Sequence, residues 1–388
     1  MNINYSKYNF DDIRPLNEDE VHGAIEELAA SEGLETAIRY IKPDLNWEEF
    51  TEKMRQCKTK KQFKTMLGYQ MVMQVAKNTT FSLTISGRSR ISQDIPNTFI
   101  SNHRDIVLDA AFLNALLMDV GQGMTQIAIG DNLLIHPWIE TVVRLNNSFI
   151  VRRKASVHQL LRESLKLSAY IHYAVSELKE SVWIAQREGR AKDSNDQTQT
   201  AVLKMLNMGG NREDVLNNLM DLNIVPIAIS YEYDPCDFLK AKEFQQKRDN
   251  PDFVKSKRDD LLNMETGLLN DKGRVHFTLG SPINDKLKEL APKNLDKNAL
   301  FTEIANIIDR EIYKHYRFYP CNYVAYDLLH HSVYFRTNYD LRDKVMFENY
   351  LQNQINKIDL PNKDEAFLRT KILEMYSNPL KNHIENAD

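Results

Sequence analysis

Between Phe81 and Leu279, short runs of β-branched, aliphatic and aromatic residues alternate with longer stretches of helical period, and this alternation does most to restrict the fold. Phe81–Ser86, Thr98–Ser101, Thr125–Gly130, Ser148–Val151, Ser181–Ala185, Ile224–Ser230 and Arg274–Leu279 read as strands. Helices are expected at Ala110–Met118, from about Ala155 to Lys179, where Val157, Leu161, Leu165, Ile171, Val175 and Leu178 lie near one stripe, and twice more before Ile224. Strands that alternate with helices predict an α/β fold, with a mixed, mostly parallel central sheet flanked by helices and the functional loops gathered at one edge.

The flanking regions have a different rhythm. From Asn17 to about Lys77, apolar residues recur at helical intervals, with Pro43 separating two halves. Past Asn298 the chain reads as mainly helical. The expected organisation is therefore a helical N-terminal region over 1–80, an α/β domain over 81–298 and a helical C-terminal extension packed on it over 299–388. The segment Phe238–Asp260, rich in Gln, Lys, Arg and Asp, breaks the alternation and reads as a surface insertion or a mobile lid. In the N-terminal region Lys53, Arg55, Lys58, Lys60, Lys61 and Lys64 occur with no acid between them. A solvated helix face accounts for this run; a docking patch for anionic lipid or an acidic carrier protein is the alternative.

A chain of 388 residues can bury a sizeable core, and a formal net charge of -4 argues against a general nucleic-acid binder. Cys57, Cys236 and Cys321 have no paired spacing, so neither a disulfide framework nor a metal site is expected. The first residues lack the basic start and apolar run of a secretion signal, and no apolar segment approaches the roughly 20 residues that span a bilayer. The expectation is a cytoplasmic protein whose contact with the inner face of the cell membrane, if any, is peripheral.

Chemistry concentrates in the loops that follow strands. After Thr98–Ser101 come Asn102, His103, Arg104 and Asp105, and then Asp109 at the start of a helix. A histidine just past a strand, with a carboxylate to fix its tautomer, can take a proton from an alcohol. For His103 to meet Asp109, six positions on, the residues between must be non-helical, and Asp109 then becomes a plausible N-cap. The strand ending at Val151 exits into Arg152, Arg153 and Lys154, three cations suited to a phosphate. The strand ending at Ala185 exits into Gln186, Arg187, Glu188, Gly189, Arg190, Ala191 and Lys192. Within it, Glu188, Gly189 and Arg190 can join a carboxylate, a flexible amide and a guanidinium in one turn. Pro226 stands near the start of an apolar strand, which is tolerated where its missing N–H has no ladder partner.

In this order the four blocks resemble the glycerolipid acyltransferase superfamily, which includes glycerol-3-phosphate and lysophosphatidate acyltransferases. Asn102-His103 with Asp109 is similar to its first block, Phe149–Arg153 to its second, Glu188-Gly189-Arg190 to its third and Val225-Pro226 to its fourth. Even Gly280-Ser281-Pro282-Ile283 is similar to a recurrent ending. The family spaces its histidine and aspartate by four residues where this chain has five, so either the loop bulges or Asp105 supplies the carboxylate. The third block also lacks a residue between Gly189 and Arg190, and Lys192 is the substitute for the phosphate role.

The resemblance implies acyl transfer from an acyl thioester, carried by acyl carrier protein or coenzyme A, to a hydroxyl of a glycerol-phosphate-type acceptor in phospholipid biosynthesis, without cofactor or metal. It makes His103 the base with Asp109 or Asp105 as its partner. It gives substrate binding to Arg104, Arg152, Arg153, Glu188, Gly189, Arg190, Lys192 and Pro226. The competing readings are a non-catalytic lipid or carrier-binding module, transfer to an amino-acid lipid, and a hydrolase using water.

Overall fold

The computed structural model describes residues 4–153 and 157–386, without the side chains of residues 157 and 158. Lys154, the third cation of the second block, lies outside the described residues.

Among the described residues seven strands form one sheet: β1 (Ser82–Ser86), β2 (Thr98–Ser101), β3 (Gln126–Gly130), β4 (Ser148–Val151), β5 (Val182–Ala185), β6 (Ile224–Tyr231) and β7 (Arg274–Leu279), in the order β1-β7-β6-β2-β5-β3-β4. Every pairing is parallel except β6 with β7. The expected mixed, mostly parallel sheet is what forms.

Side chains alternate between faces as strand geometry requires. Phe99, Trp183, Val225, Ile227 and Ile229 join one core with the helices Tyr69–Thr79 and Leu108–Asp119. Ile100, Ile184, Ile224 and Ala228 join the other, with Val157–Ser176, Thr200–Leu206 and Lys297–Lys314. All of β6 is buried, including Pro226. The carbonyl of Pro226 accepts from Gly280 at 2.8 Å, just past the end of β7. A residue's N–H and C=O point to the same side of a strand, so the donor that proline lacks faces the turn beyond β7, where no ladder partner is needed.

The N-terminal region is helical: Val21–Ala29, Glu32–Ile41, Trp47–Gln56, Lys60–Phe63, a π-helical turn Lys64–Gly68, and Tyr69–Thr79. Its basic run is solvated as expected at Lys53, Arg55, Lys58 and Lys61, while Lys60 and Lys64 are half-buried. Arg55 pairs with Glu26 at 3.1 Å, Lys60 donates to Asn147 at 3.3 Å, and Lys64 lines an internal cleft.

A second correction concerns Phe238–Asp260. Instead of an insertion or lid, Asp237–Asp249 is a helix that buries Lys240, Glu243 and Gln245. Its polar residues are satisfied from far along the chain: Gln245 donates to the Asn362 carbonyl at 2.8 Å and accepts from the Asp364 amide at 3.1 Å. Against it pack Leu341–Asn356 and Glu365–Asn386, which share with Pro320–Leu329 the core of Val324, Leu351, Leu368 and Ile372.

Candidate active site

The site begins where β2 ends. Asn102 continues the strand with its side chain, donating to the Ile229 carbonyl at 2.9 Å and accepting from the Ile229 amide at 2.8 Å. This fixes the exit of β2 against β6. The chain then runs non-helically to Leu108, where the next helix starts. The loop takes up the extra residue between histidine and aspartate.

His103 Nδ1 lies 2.8 Å from Asp109 Oδ2. The same oxygen accepts the amides of Arg104 at 2.6 Å and Asp105 at 3.1 Å. Three donors converging on one oxygen are the pattern of an acceptor-only carboxylate. A proton on Nδ1 leaves Nε2 as the acceptor, and among the described residues no hydrogen bond reaches Nε2. Trp183 packs edge-on to the ring at 5.7 Å between centroids and is itself held by an indole N–H bond to Ser101 at 3.0 Å. The imidazole is thus fixed at two edges and open at the third.

Asp105 has a different task. Its Oδ1 accepts the amides of Val107 at 2.9 Å and Leu108 at 2.7 Å, so Asp105 and not Asp109 caps the helix. Asp109 sits inside the first helical turn, which corrects the expectation that it would be the N-cap. Burial, followed by the neighbouring Asp109, pushes the Asp105 carboxyl up from its ordinary range. Gly267 leaves room for it: a Cβ there would meet Asp105 Oδ2 at 2.0 Å. Behind the loop, burial and then Asp109 and Asp105 raise the Tyr231 hydroxyl well above the usual tyrosine range.

His103 opens into a cleft of about 1770 Å³. On the C-terminal side of the sheet it is lined by Arg152, Arg153, Arg187, Glu188, Gly189 and Arg190. Along the helix Leu108–Asp119 and the N-terminal helices its walls are apolar, with Met71, Val72, Val75, Ala111 and Ala115 among them. One space therefore offers a hydrocarbon bed, a histidine with a free ring nitrogen and a set of guanidinium groups.

Residues 82–230 match the family model described as Acyltransferase, a span that contains all four sequence blocks. Over this span the chain is similar to the acyltransferase family. No curated protein matches the chain. One similar solved structure is the 1-acyl-sn-glycerophosphate (LPA) acyltransferase PlsC from Thermotoga maritima, at 11% identity over 76% of this chain and 96% of that chain, with a TM-score of 0.36. No helix among the described residues is long and apolar enough to cross a membrane.

Two residues expected to bind substrate are placed elsewhere. Arg104 points away from the cleft and forms a buried fork with Asp196, at 3.0 Å and 2.6 Å. Tyr316 also donates to Asp196, at 2.5 Å, and Lys240 donates to the Arg104 carbonyl at 3.2 Å. The ammonium of Lys240 is in turn paired with Asp234. Arg104 anchors the loop and lies outside the cleft. Pro226 likewise lies outside the cleft, inside β6. Arg104→Met would leave the Asp196 carboxylate buried without its cation. Urea unfolding should show a loss of about 3–5 kcal/mol, against a small change if the pair were dispensable.

The other expected residues line the cleft, with differing freedom. Arg152 donates to the Asp12 carbonyl at 2.9 Å, and Arg153 lies 3.8 Å from Glu188. Lys192 is paired with Glu243, which Lys247 also contacts at 3.1 Å. Gly189 has φ of 66°, which reverses the chain between Glu188 and Arg190. The sequence reading passed over Arg187, Trp183, Lys240 and Asp196. Only Arg187 carried a signal, as a cation beside the third block.

Proposed function

We propose that the enzyme transfers a fatty acyl group from an acyl thioester, borne by acyl carrier protein or coenzyme A, to a hydroxyl of a glycerol-phosphate-type acceptor. The observation that carries this reading is the 2.8 Å contact of His103 with Asp109, at the meeting point of an apolar wall and an arginine-lined rim. His103 Nε2 takes the hydroxyl proton as the oxygen attacks the thioester carbonyl carbon. The tetrahedral intermediate then expels sulfur, and the imidazolium returns the proton to the leaving thiolate. Asp109 holds the ring and stabilises its charged form. The guanidinium groups anchor the acceptor and orient its hydroxyl.

The cleft volume of about 1770 Å³ exceeds the range of roughly 300–1,000 Å³ common for one small ligand, which suits an acyl chain and an acceptor held together. Contact with the inner face of the cell membrane, which would receive an acylated product, would be peripheral.

Purified protein should be mixed with an acyl thioester, and thiol release followed with and without glycerol 3-phosphate, lysophosphatidate or an amino-acid lipid. Release that requires a phosphate-bearing acceptor, with an O-acylated product by mass spectrometry, is the expected result. Release without acceptor would make the protein a hydrolase, release with only the amino-acid lipid would move the acceptor class, and no release would leave a binding module.

A further inference from the structure

The carboxylate oxygen that holds His103 is itself aimed by a group outside the four blocks. Asp109 Oδ2 accepts the Asp105 amide at 3.1 Å, and the carbonyl of that same peptide, belonging to Arg104, accepts from the Lys240 ammonium at 3.2 Å. In a trans peptide the N–H and the C=O point in opposite directions. This peptide therefore has a cation at its oxygen end and a carboxylate at its amide end, the orientation in which its dipole gains from both. The contacts run in line from Lys240 Nζ through the peptide 104–105 to Asp109 Oδ2 and on to His103 Nδ1.

Lysine is almost never buried completely unless it is paired, and Lys240 is only 1% exposed. Its one ion pair among the described residues is with Asp234. The pair answers the charge, and the remaining bond, to the Arg104 carbonyl, ties the helix Asp237–Asp249 to the loop that carries the base.

The C-terminal helices fix where Lys240 stands. The Tyr376 hydroxyl accepts from the Asp234 amide at 3.1 Å and donates to Asp237 Oδ2 at 2.8 Å, and the Tyr350 hydroxyl donates to the same oxygen at 2.7 Å. These bonds pin the turn that opens the helix, less than one helical turn before Lys240. Lys240, Tyr350 and Tyr376 all lie beyond residues 82–230, the span that matches the family model.

We infer that Lys240 is a positioning residue for the base: through the peptide between Arg104 and Asp105 it aims an amide at Asp109 and so keeps that carboxylate on His103, with the C-terminal helices holding it in place. This rests on the acyl-transfer reading above. Lys240 does not line the cleft, so it acts on turnover and not on the binding of either substrate. The C-terminal extension is then part of the catalytic unit.

Removal of Lys240 alone would leave Asp234 a lone buried charge, so the informative variant of the full chain is Lys240→Met/Asp234→Asn, which takes out both charges. With circular dichroism showing it folded, its kcat should fall about 10–100-fold, while the KM for acceptor and for thioester each change less than about threefold. Lys240→Gln/Asp234→Asn, which keeps a neutral N–H donor at the position, should recover part of the loss. Proton NMR of protein carrying isotope-labelled histidine needs no turnover. The wild-type chain should show a downfield ring N–H signal, absent from His103→Ala, for Nδ1 in its bond to Asp109, and Lys240→Met/Asp234→Asn should lose it or move it upfield. A folded double variant that keeps both this signal and the wild-type kcat overturns the inference, as does a kcat that falls with the signal unchanged. A signal that depends on Lys240 in a chain that transfers no acyl group would instead refute the function and keep the positioning role.

Discussion

Asp109→Asn is expected to lower kcat by about two to four orders of magnitude, while Asp105→Asn lowers it by less than about tenfold. The asymmetry follows from what each oxygen does. Asp109 Oδ2 receives His103 Nδ1 together with the Arg104 and Asp105 amides. An asparagine at 109 keeps these three bonds only if its carbonyl oxygen takes the place of Oδ2. If it turns its amide nitrogen to the ring instead, it demands the opposite tautomer and leaves Nε2 carrying the proton it should accept. It also removes the negative charge that stabilises the imidazolium as it forms. An asparagine at 105 keeps the oxygen that accepts Val107 and Leu108, and the atom it changes, Oδ2, has no partner among the described residues. The kcat of both variants, measured at saturating thioester and acceptor, checks this. A larger loss at Asp105 would reassign the carboxylate.

The contrast shows where the sequence was legible. The strands were readable to within a residue, because those at the centre of the sheet bury two faces and so consist of short apolar runs such as Ile224–Ile229. The sheet order was not readable, since nothing local to β7 says that it will pair antiparallel to β6. Asp237–Asp249 misled for a related reason. Composition counts polar residues as exposed, yet Gln245 and Lys240 are buried because their partners, at 362, 364 and 234, complete their hydrogen bonds.

In the site itself, the residue types that do chemistry announced their positions, but their direction was not encoded locally. His103 and Arg104 are neighbours in the chain, yet one ring opens to the cleft while the other side chain turns inward to Asp196, 92 positions later. Arg187 shows the reverse case: a cation beside the third block in sequence, it is placed on the cleft by the alignment of Ser101 with Ala185 across two strands. The choice between Asp105 and Asp109 likewise depended on how the loop bends before Leu108.

The claim on which the account depends is that His103 is the base. The most direct test is acceptor-dependent thiol release from an acyl thioester by the wild-type chain and by His103→Ala, side by side, with circular dichroism confirming that both are folded. The account predicts that turnover falls by about two to four orders of magnitude in His103→Ala, the usual contribution of a positioned base, with the melting temperature little changed. A folded His103→Ala that transfers the acyl group at close to the wild-type rate would contradict it.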